Sequence, residues 1–282
     1  MFLAPYLVLT LAFFIYPFLS AIRLAFHQTN GPQSEIWVGL SNFAFVLSDS
    51  DFHTAVRNTT IYAVASIFVQ LPLSLGFAIL LNSDKSRMKG VFRLVLFSPC
   101  LVGPVFVGVL FAVLFAPRYG LVNKFLQALV GWGLEKQWLG NPNLVMPALI
   151  VTSLWMYVGF NMIYFLAALQ NVEKGLVEAA KIDGAGPWRI FRHVTLPAIK
   201  PVAIFVVIMS TIGSYQLFEL PYSLLRGFGP KNSGLTIVGY LYNTAFNTGD
   251  LGTGAAVGWI LTLIILTISL IQLKLSRALK QD

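Results

Sequence analysis

The sequence predicts an all-α integral membrane protein with six transmembrane helices. Three observations carry this. Hydrophobic residues make up 57% of the 282 and charged ones only 11%, well below the ~25% of a soluble domain. So little polar surface cannot cover a globule of this size, so most of the apolar surface needs lipid around it. Six apolar stretches are long enough to cross the ~30 Å hydrocarbon layer. Of the charged residues, only Glu219 falls inside a predicted span.

Residues 2–22 form the first span, with Pro5 and Pro17 near its ends. It lacks the basic leading segment and the small-residue cleavage site of a signal peptide. Residues 23–57 are a polar outer loop. His27 and His53 stand alone there and make weak metal candidates. Residues 37–43 read as an interfacial turn followed by an amphipathic helix. Residues 58–83 form span two, with Pro72 and Gly76 inside; membranes tolerate such breakers because neighbouring helices satisfy the freed backbone groups. Residues 94–117 form span three. Its Pro99, Gly103, Pro104 and Gly108 fit either close helix contact or a kink lining a pathway. Residues 118–143 are a mixed loop with helical periodicity over 122–130, and Trp132 and Trp138 read as interfacial anchors. Span four covers 144–169, span five about 202–222 and span six 251–273. A Gly/Pro/Asn-rich loop joins the last two. The chain divides into residues 1–57, a first span with its outer loop, and residues 58–282, a five-span core.

The orientation follows from Lys and Arg. The connectors after spans two and four, with the C-terminal tail, hold twelve; the connectors on the other side hold seven. The richer side faces the cytoplasm, which puts both termini and residues 171–201 inside. The net charge of +8 is then topological rather than a sign of nucleic-acid binding.

Residues 171–201 are too long and too polar for a hairpin between spans. They read as two short helices around a hinge. Leu176, Val177 and Ala180 give the first an apolar side, and Glu173, Lys174, Glu178 and Lys181 keep the rest in water. Gly184 and Gly186 break that helix, because glycine carries no penalty at positive φ. Pro187 suits the first position of the second helix. That helix runs through Trp188, Ile190 and Phe191 and is expected to stop at Leu196-Pro197. By composition alone the stretch also fits a solvated connector. A connector has no need of two alanines beside a glutamate, a glycine hinge and a second amphipathic turn.

Glu178-Ala179-Ala180 is followed after three residues by Gly184, and after nine more by Val194-x-Leu196-Pro197. With Asp183 and Ala185, this resembles the EAA loop of ABC importer permeases, in the carbohydrate-uptake branch. Span number, loop lengths and the position of the loop before span five fit across nearly the whole chain. Val194 stands where isoleucine is commoner, and Val172-Glu173 where that branch usually has Ile-Pro. Residues 39–43, and Gly229-Pro230 with Leu235-Thr236 and Tyr240, are similar to outer segments of permeases for sugars; the second could touch a binding protein. The resemblance implies the type I importer permease architecture, with a cytoplasmic coupling helix that docks in a cleft of an ATPase subunit. It carries coupling to Glu178, Ala179, Ala180, Asp183, Gly184, Ala185, Leu196 and Pro197. It also implies a second homologous permease, two cytoplasmic ATPase subunits that bind ATP and Mg, a periplasmic or lipid-anchored sugar-binding protein, and the bacterial inner membrane as location.

The chain shows no catalytic constellation of its own. There is no phosphate-binding GxxxxGK[ST] loop, no HExxH and no GxSxG, and no carboxylate pair is placed for acid–base work. The single Cys100 allows neither a disulfide framework nor a zinc cluster within the chain. No cofactor or metal site is expected in it. A polar path is the remaining requirement. In span four, Tyr157, Asn161 and Tyr164 share one helix face; in span five, Ser214, Tyr215, Gln216 and Glu219 fall toward the outer end. Together they supply the hydrogen-bonding groups and aromatic faces that sugars need. Each has a plainer reading: Glu219 hydrating at the headgroups, the tyrosines packing, Asn161 bonding between helices. Two other function classes stay open. A stand-alone secondary transporter would need ion-coupling carboxylates in the membrane or an inverted repeat. A multi-span enzyme acting on lipid-linked substrate would need paired carboxylates or a metal motif at the interface.

Overall fold

Proline inside an apolar helix lacks one N–H and crowds the carbonyl four residues back. This chain accommodates it three times in the same way. Pro17, Pro72 and Pro197 each follow a wide π turn, over Leu11–Ile15, Ser66–Gln70 and Phe191–Thr195. The residue just before each proline donates its N–H five residues back: Tyr16 to Leu11, Leu71 to Ser66, Leu196 to Phe191. The widened turn makes room for the ring, and the helix continues.

The computed structural model describes residues 3–29, 35–83, 88–131 and 135–278. Among them, five helices are long and apolar enough to cross a membrane: Ala4–Ala25, Ser50–Asn82, Pro142–Gln170, Pro187–Tyr215 and Leu251–Ser276. The remaining predicted span, the third, is a bent pair, Lys89–Leu101 and Pro104–Leu114, which meet at 100°. Span three is therefore kinked at Gly103-Pro104 and is not a straight crossing. Lys85, Arg87 and Lys280, counted above for orientation, and Trp132 lie outside the described residues.

Two further expectations need correction. Leu196-Pro197 does not end a short helix; Pro187–Tyr215 is one uninterrupted helix, because the π turn absorbs Pro197. Nor does span five reach residue 222. It ends at Tyr215, and Glu219–Leu225 forms a separate helix that packs against Pro104–Leu114. Phe111, Phe115, Leu149, Leu220 and Leu224 make the core of that packing. Gly108 lets the two short helices approach closely, facing Ser223.

Span four is the centre of the bundle. On one side it meets span two and span five through Leu71, Met162, Phe165 and Ile199. On another it lies against the first leg of span three, so closely that a Cβ on Gly159 would stand 1.7 Å from the Leu96 carbonyl oxygen. The outer loop after span one is a hairpin of His27–Thr29 with Glu35–Trp37, then the helix Ser41–Ser48 that residues 37–43 foreshadow. It is tied to the core: buried Asn42 donates its amide to the carbonyls of Ala25 and His27, at 3.0 and 2.9 Å. Asn42→Ala strips two buried acceptors and is expected to destabilise the fold by about 1–3 kcal/mol, read as a lower unfolding midpoint of the purified protein. The helix Ser50–Asn82 runs unbroken through residues 57 and 58, so no break in the chain marks the division between the first span with its loop and the five-span core. Leu121–Val130 is helical as its periodicity predicts, and Trp138 Nε1 donates to Asn123 Oδ1 at 2.7 Å beside it.

Candidate functional site

A cavity of about 250 Å³ opens between spans two, four and five. Tyr157, Asn161 and Tyr164 line it, as their shared helix face predicts, and Ser214 lines it from span five. Span two contributes three residues that sequence reasoning missed: Tyr62, Ser66 and Gln70. They stand four apart, which puts them on one face; that spacing was the available signal. Ser66 and Ser210 hydroxyls join spans two and five at 2.8 Å. Gln70 Oε1 is buried and meets no donor. Phe160, Tyr164 and Phe205 supply aromatic faces to the same space.

Tyr215 does not belong here. Its ring is buried in another cluster and its hydroxyl meets Thr60 Oγ1 at 3.1 Å. Gln216 and Glu219 lie past the end of span five, both exposed. They border a second cavity of about 290 Å³, together with Pro104 of the bent span. Tyr157, Gly213 and Leu217 line both cavities, so the two adjoin. The structure thus brings Tyr157, Asn161, Tyr164 and Ser214 to one cavity, Gln216 and Glu219 to the next, and leaves Tyr215 out.

The other site is the loop between spans four and five. Its first helix is Lys174–Ile182, and Asp183 caps it. Gly184 then takes φ +76°. Its N–H donates to the Lys181 carbonyl at 3.1 Å, and that of Ala185 to Ala180 at 2.9 Å. This is a Schellman end, which satisfies the last carbonyls and needs glycine at that position. The spacing from Ala180 to Gly184-Ala185 therefore has a geometric cause. Gly186 is different from the expectation: at φ −71° and ψ 165° it is ordinary extended backbone, placed before Pro187, which starts the next helix. Ile182 and Trp188 are 87% and 69% exposed, although both are large and apolar. Both belong to the loop between spans four and five. Glu178 and Ala179 are exposed on the same loop, whereas Leu196 and Pro197 have become part of the long helix of span five.

Outside the spans, Tyr240 holds the outer loop. Its hydroxyl donates to Asp49 Oδ2 at 2.6 Å. Burial, then the Asp49 carboxylate, pushes its phenol well above the ordinary tyrosine range, so it stays a donor at every physiological pH. No group of three or more His, Cys, Asp or Glu side chains able to hold a metal ion occurs among the described residues.

Residues 70–281 match the family model of the binding-protein-dependent transport system inner membrane component. The chain belongs to that family. It is a multi-pass membrane permease and a non-catalytic transport component. It is 39% identical to the arabinooligosaccharides transport system permease protein AraP of Bacillus subtilis, over all of this chain and 89% of that one. It is 35% identical to the lactose transport system permease protein LacF of Rhizobium radiobacter, over 99% of this chain and 94% of that one. Its fold matches a chain in the crystal structure of a bacterial ABC transporter that imports the acidic polysaccharide alginate. The TM-score is 0.85 at 23% identity, covering 98% of the permease and 94% of its counterpart.

Proposed function

We propose that this permease forms half of the translocation pathway of an ATP-driven, binding-protein-dependent importer of di- or oligosaccharides. One observation carries the reading: a single helix joins the docking loop to the cavity. Pro187–Tyr215 begins beside Gly184 and contributes Phe205, Met209, Ser210 and Ser214 to the cavity wall. At 29 residues it is a rod of about 43 Å, at 1.5 Å per residue. A push on the loop is thereby delivered to the cavity wall. One of two ATPase subunits, which bind ATP and Mg, would grip the loop through Glu178, Ala179, Ala180, Asp183, Gly184 and Ala185 and through the apolar pair Ile182 and Trp188. Leu196 and Pro197 act differently, as part of the rod itself. A second homologous permease completes the pathway, and a periplasmic or lipid-anchored binding protein delivers sugar from outside. Both termini lie in the cytoplasm, in keeping with the Lys and Arg asymmetry.

The cavity chemistry suits a neutral sugar. Asn161, Ser66, Ser210, Ser214 and Gln70 offer donors and acceptors, and Tyr157, Phe160 and Tyr164 offer faces for the sugar's C–H surface. The related AraP and LacF are named for arabinooligosaccharides and lactose, which supports this substrate class. Glu219, the one carboxylate predicted inside a span, lies past the end of the span-five helix and borders the second cavity. ATP turnover of the reconstituted transporter, screened against a panel of oligosaccharides and their binding protein, tests the proposal. Stimulation by at least one member supports it; sugar-independent uptake of an ion-coupled solute refutes it. Asn161→Leu is expected to raise the sugar concentration for half-maximal uptake about tenfold, since a lost hydrogen bond to a sugar is worth about 1–1.5 kcal/mol. Unchanged concentration dependence would remove Asn161 from the path.

A further inference from the structure

The second cavity, about 290 Å³, holds a chemistry that the first does not. Gln216, Phe218 and Glu219 all line it. On a continuous helix, positions two apart stand about 200° apart around the axis, so Gln216 and Phe218 would face nearly opposite ways. The chain breaks at Phe218, between span five and the helix Glu219–Leu225. That break is what turns an amide, an aromatic ring and a carboxylate toward one space.

The Phe218 ring is held in place. Its centroid lies 5.2 Å from that of Tyr222 and 4.9 Å from that of Tyr242. A ring fixed by its neighbours loses little freedom when a ligand packs on it. Gln216 and Glu219 are exposed, and among the described residues no hydrogen bond or ion pair ties up either side chain. A carboxylate can take two adjacent hydroxyls at once, in charge-assisted bonds stronger than neutral ones. An aromatic face beside a carboxylate and an amide matches the C–H face and hydroxyl rim of a sugar ring. An acyl chain has no use for Gln216 or Glu219. An acidic ligand is opposed by Glu219, and among the described residues no Lys, Arg or His lines either cavity to offset it.

We propose that the second cavity is a subsite for the sugar unit next to the one held in the first, with Phe218 against its ring and Glu219 on its hydroxyls. The proposal rests on the sugar-import reading. The two cavities share Tyr157, Gly213 and Leu217, so one disaccharide reaches both. Filling both favours di- and oligosaccharides over monosaccharides. Glu219 favours a neutral second unit over an acidic one.

Saturation-transfer difference NMR of the complete transporter in lipid nanodiscs tests it, with arabinobiose, lactose and maltose as probes. At least one probe is expected to receive saturation on both sugar units. Phe218→Leu removes the aromatic face and is expected to shift the ratio of the two units' signals severalfold. Glu219→Gln alters an exposed side chain, so it keeps the test informative if Phe218→Leu fails to assemble. It is expected to weaken binding of that disaccharide about tenfold. The aldonic acid of the same disaccharide, which carries a carboxylate on its end unit, supplies a gain. Its binding relative to the neutral sugar is expected to rise about fivefold or more in Glu219→Gln, which a merely structural role would not produce. Saturation of a single unit in the wild type, or of no probe at all, overturns the proposal. So do unit ratios and an acid-to-neutral preference that neither variant changes. Sugar-stimulated ATP turnover of the same preparations, with the binding protein added, reports on the import reading separately, so either reading can fail alone.

Discussion

Gly184→Pro is expected to leave the transporter assembled, with ATP hydrolysis continuing, and to lower sugar uptake per ATP by tenfold or more. The reason is in the backbone. Gly184 stands at φ +76°, and proline is confined near −65°. Proline also lacks the N–H that Gly184 donates to Lys181. Both bonds of the helix end are then lost, since Ala185 can no longer be aimed at Ala180. A Cβ at this position would meet nothing within 4 Å, so the damage is confined to the turn and does not spread through packing. What changes is the angle between the docking helix and the rod that begins at Pro187. Gly184→Ala is the graded control: it has room but must accept left-handed backbone at a cost of about 1–2 kcal/mol, so partial coupling is expected. Uptake and ATP turnover measured together in proteoliposomes check both variants, and full uptake by Gly184→Pro would refute the hinge assignment.

The second large effect belongs to Gly159. Even alanine there would place its Cβ 1.7 Å from the Leu96 carbonyl oxygen and 2.9 Å from the Phe97 nitrogen. These are backbone atoms at the end of the first leg of span three, and they cannot rotate away. Span four and span three must separate, which opens voids along the interface and costs several kcal/mol. Gly159→Ala is therefore expected to lower the yield of assembled transporter severely, and Gly159→Leu to abolish it. Phe160 and Asn161, the next two residues, line the cavity proposed to take the sugar, so any transporter that does assemble is expected to import poorly. Gel filtration of the purified complex measures the first effect; an assembled Gly159→Ala complex of normal thermal stability would contradict the packing account.

Much of this was legible in the residues. Apolar length located the crossings, and the spacing of Tyr157, Asn161 and Tyr164 placed them on the face that lines the cavity. Gly184, read as a helix breaker, marked the helix end. The misses have physical causes. Tyr62, Ser66 and Gln70 carry no charge, so span two reads as uniformly membrane-like, and their four-residue spacing shows only when neutral polar groups are followed. Pro197 reads as a stop because the local sequence does not announce the π turn ahead of it. Residues 216–222 are apolar enough to prolong span five. The chain instead breaks at Phe218, with φ −145°, because Leu220 and Leu224 gain a better burial against Phe111 and Phe115. That is tertiary packing overriding a local preference, and no window of sequence contains it.

A photo-crosslinker placed at Lys181, in the intact transporter within membranes, tests the central claim most directly. The account predicts that illumination joins the permease to a nucleotide-hydrolysing subunit, and that a membrane-impermeant reagent applied outside the cell fails to reach this position. A crosslink to an extracytoplasmic protein, or labelling from outside, would contradict it.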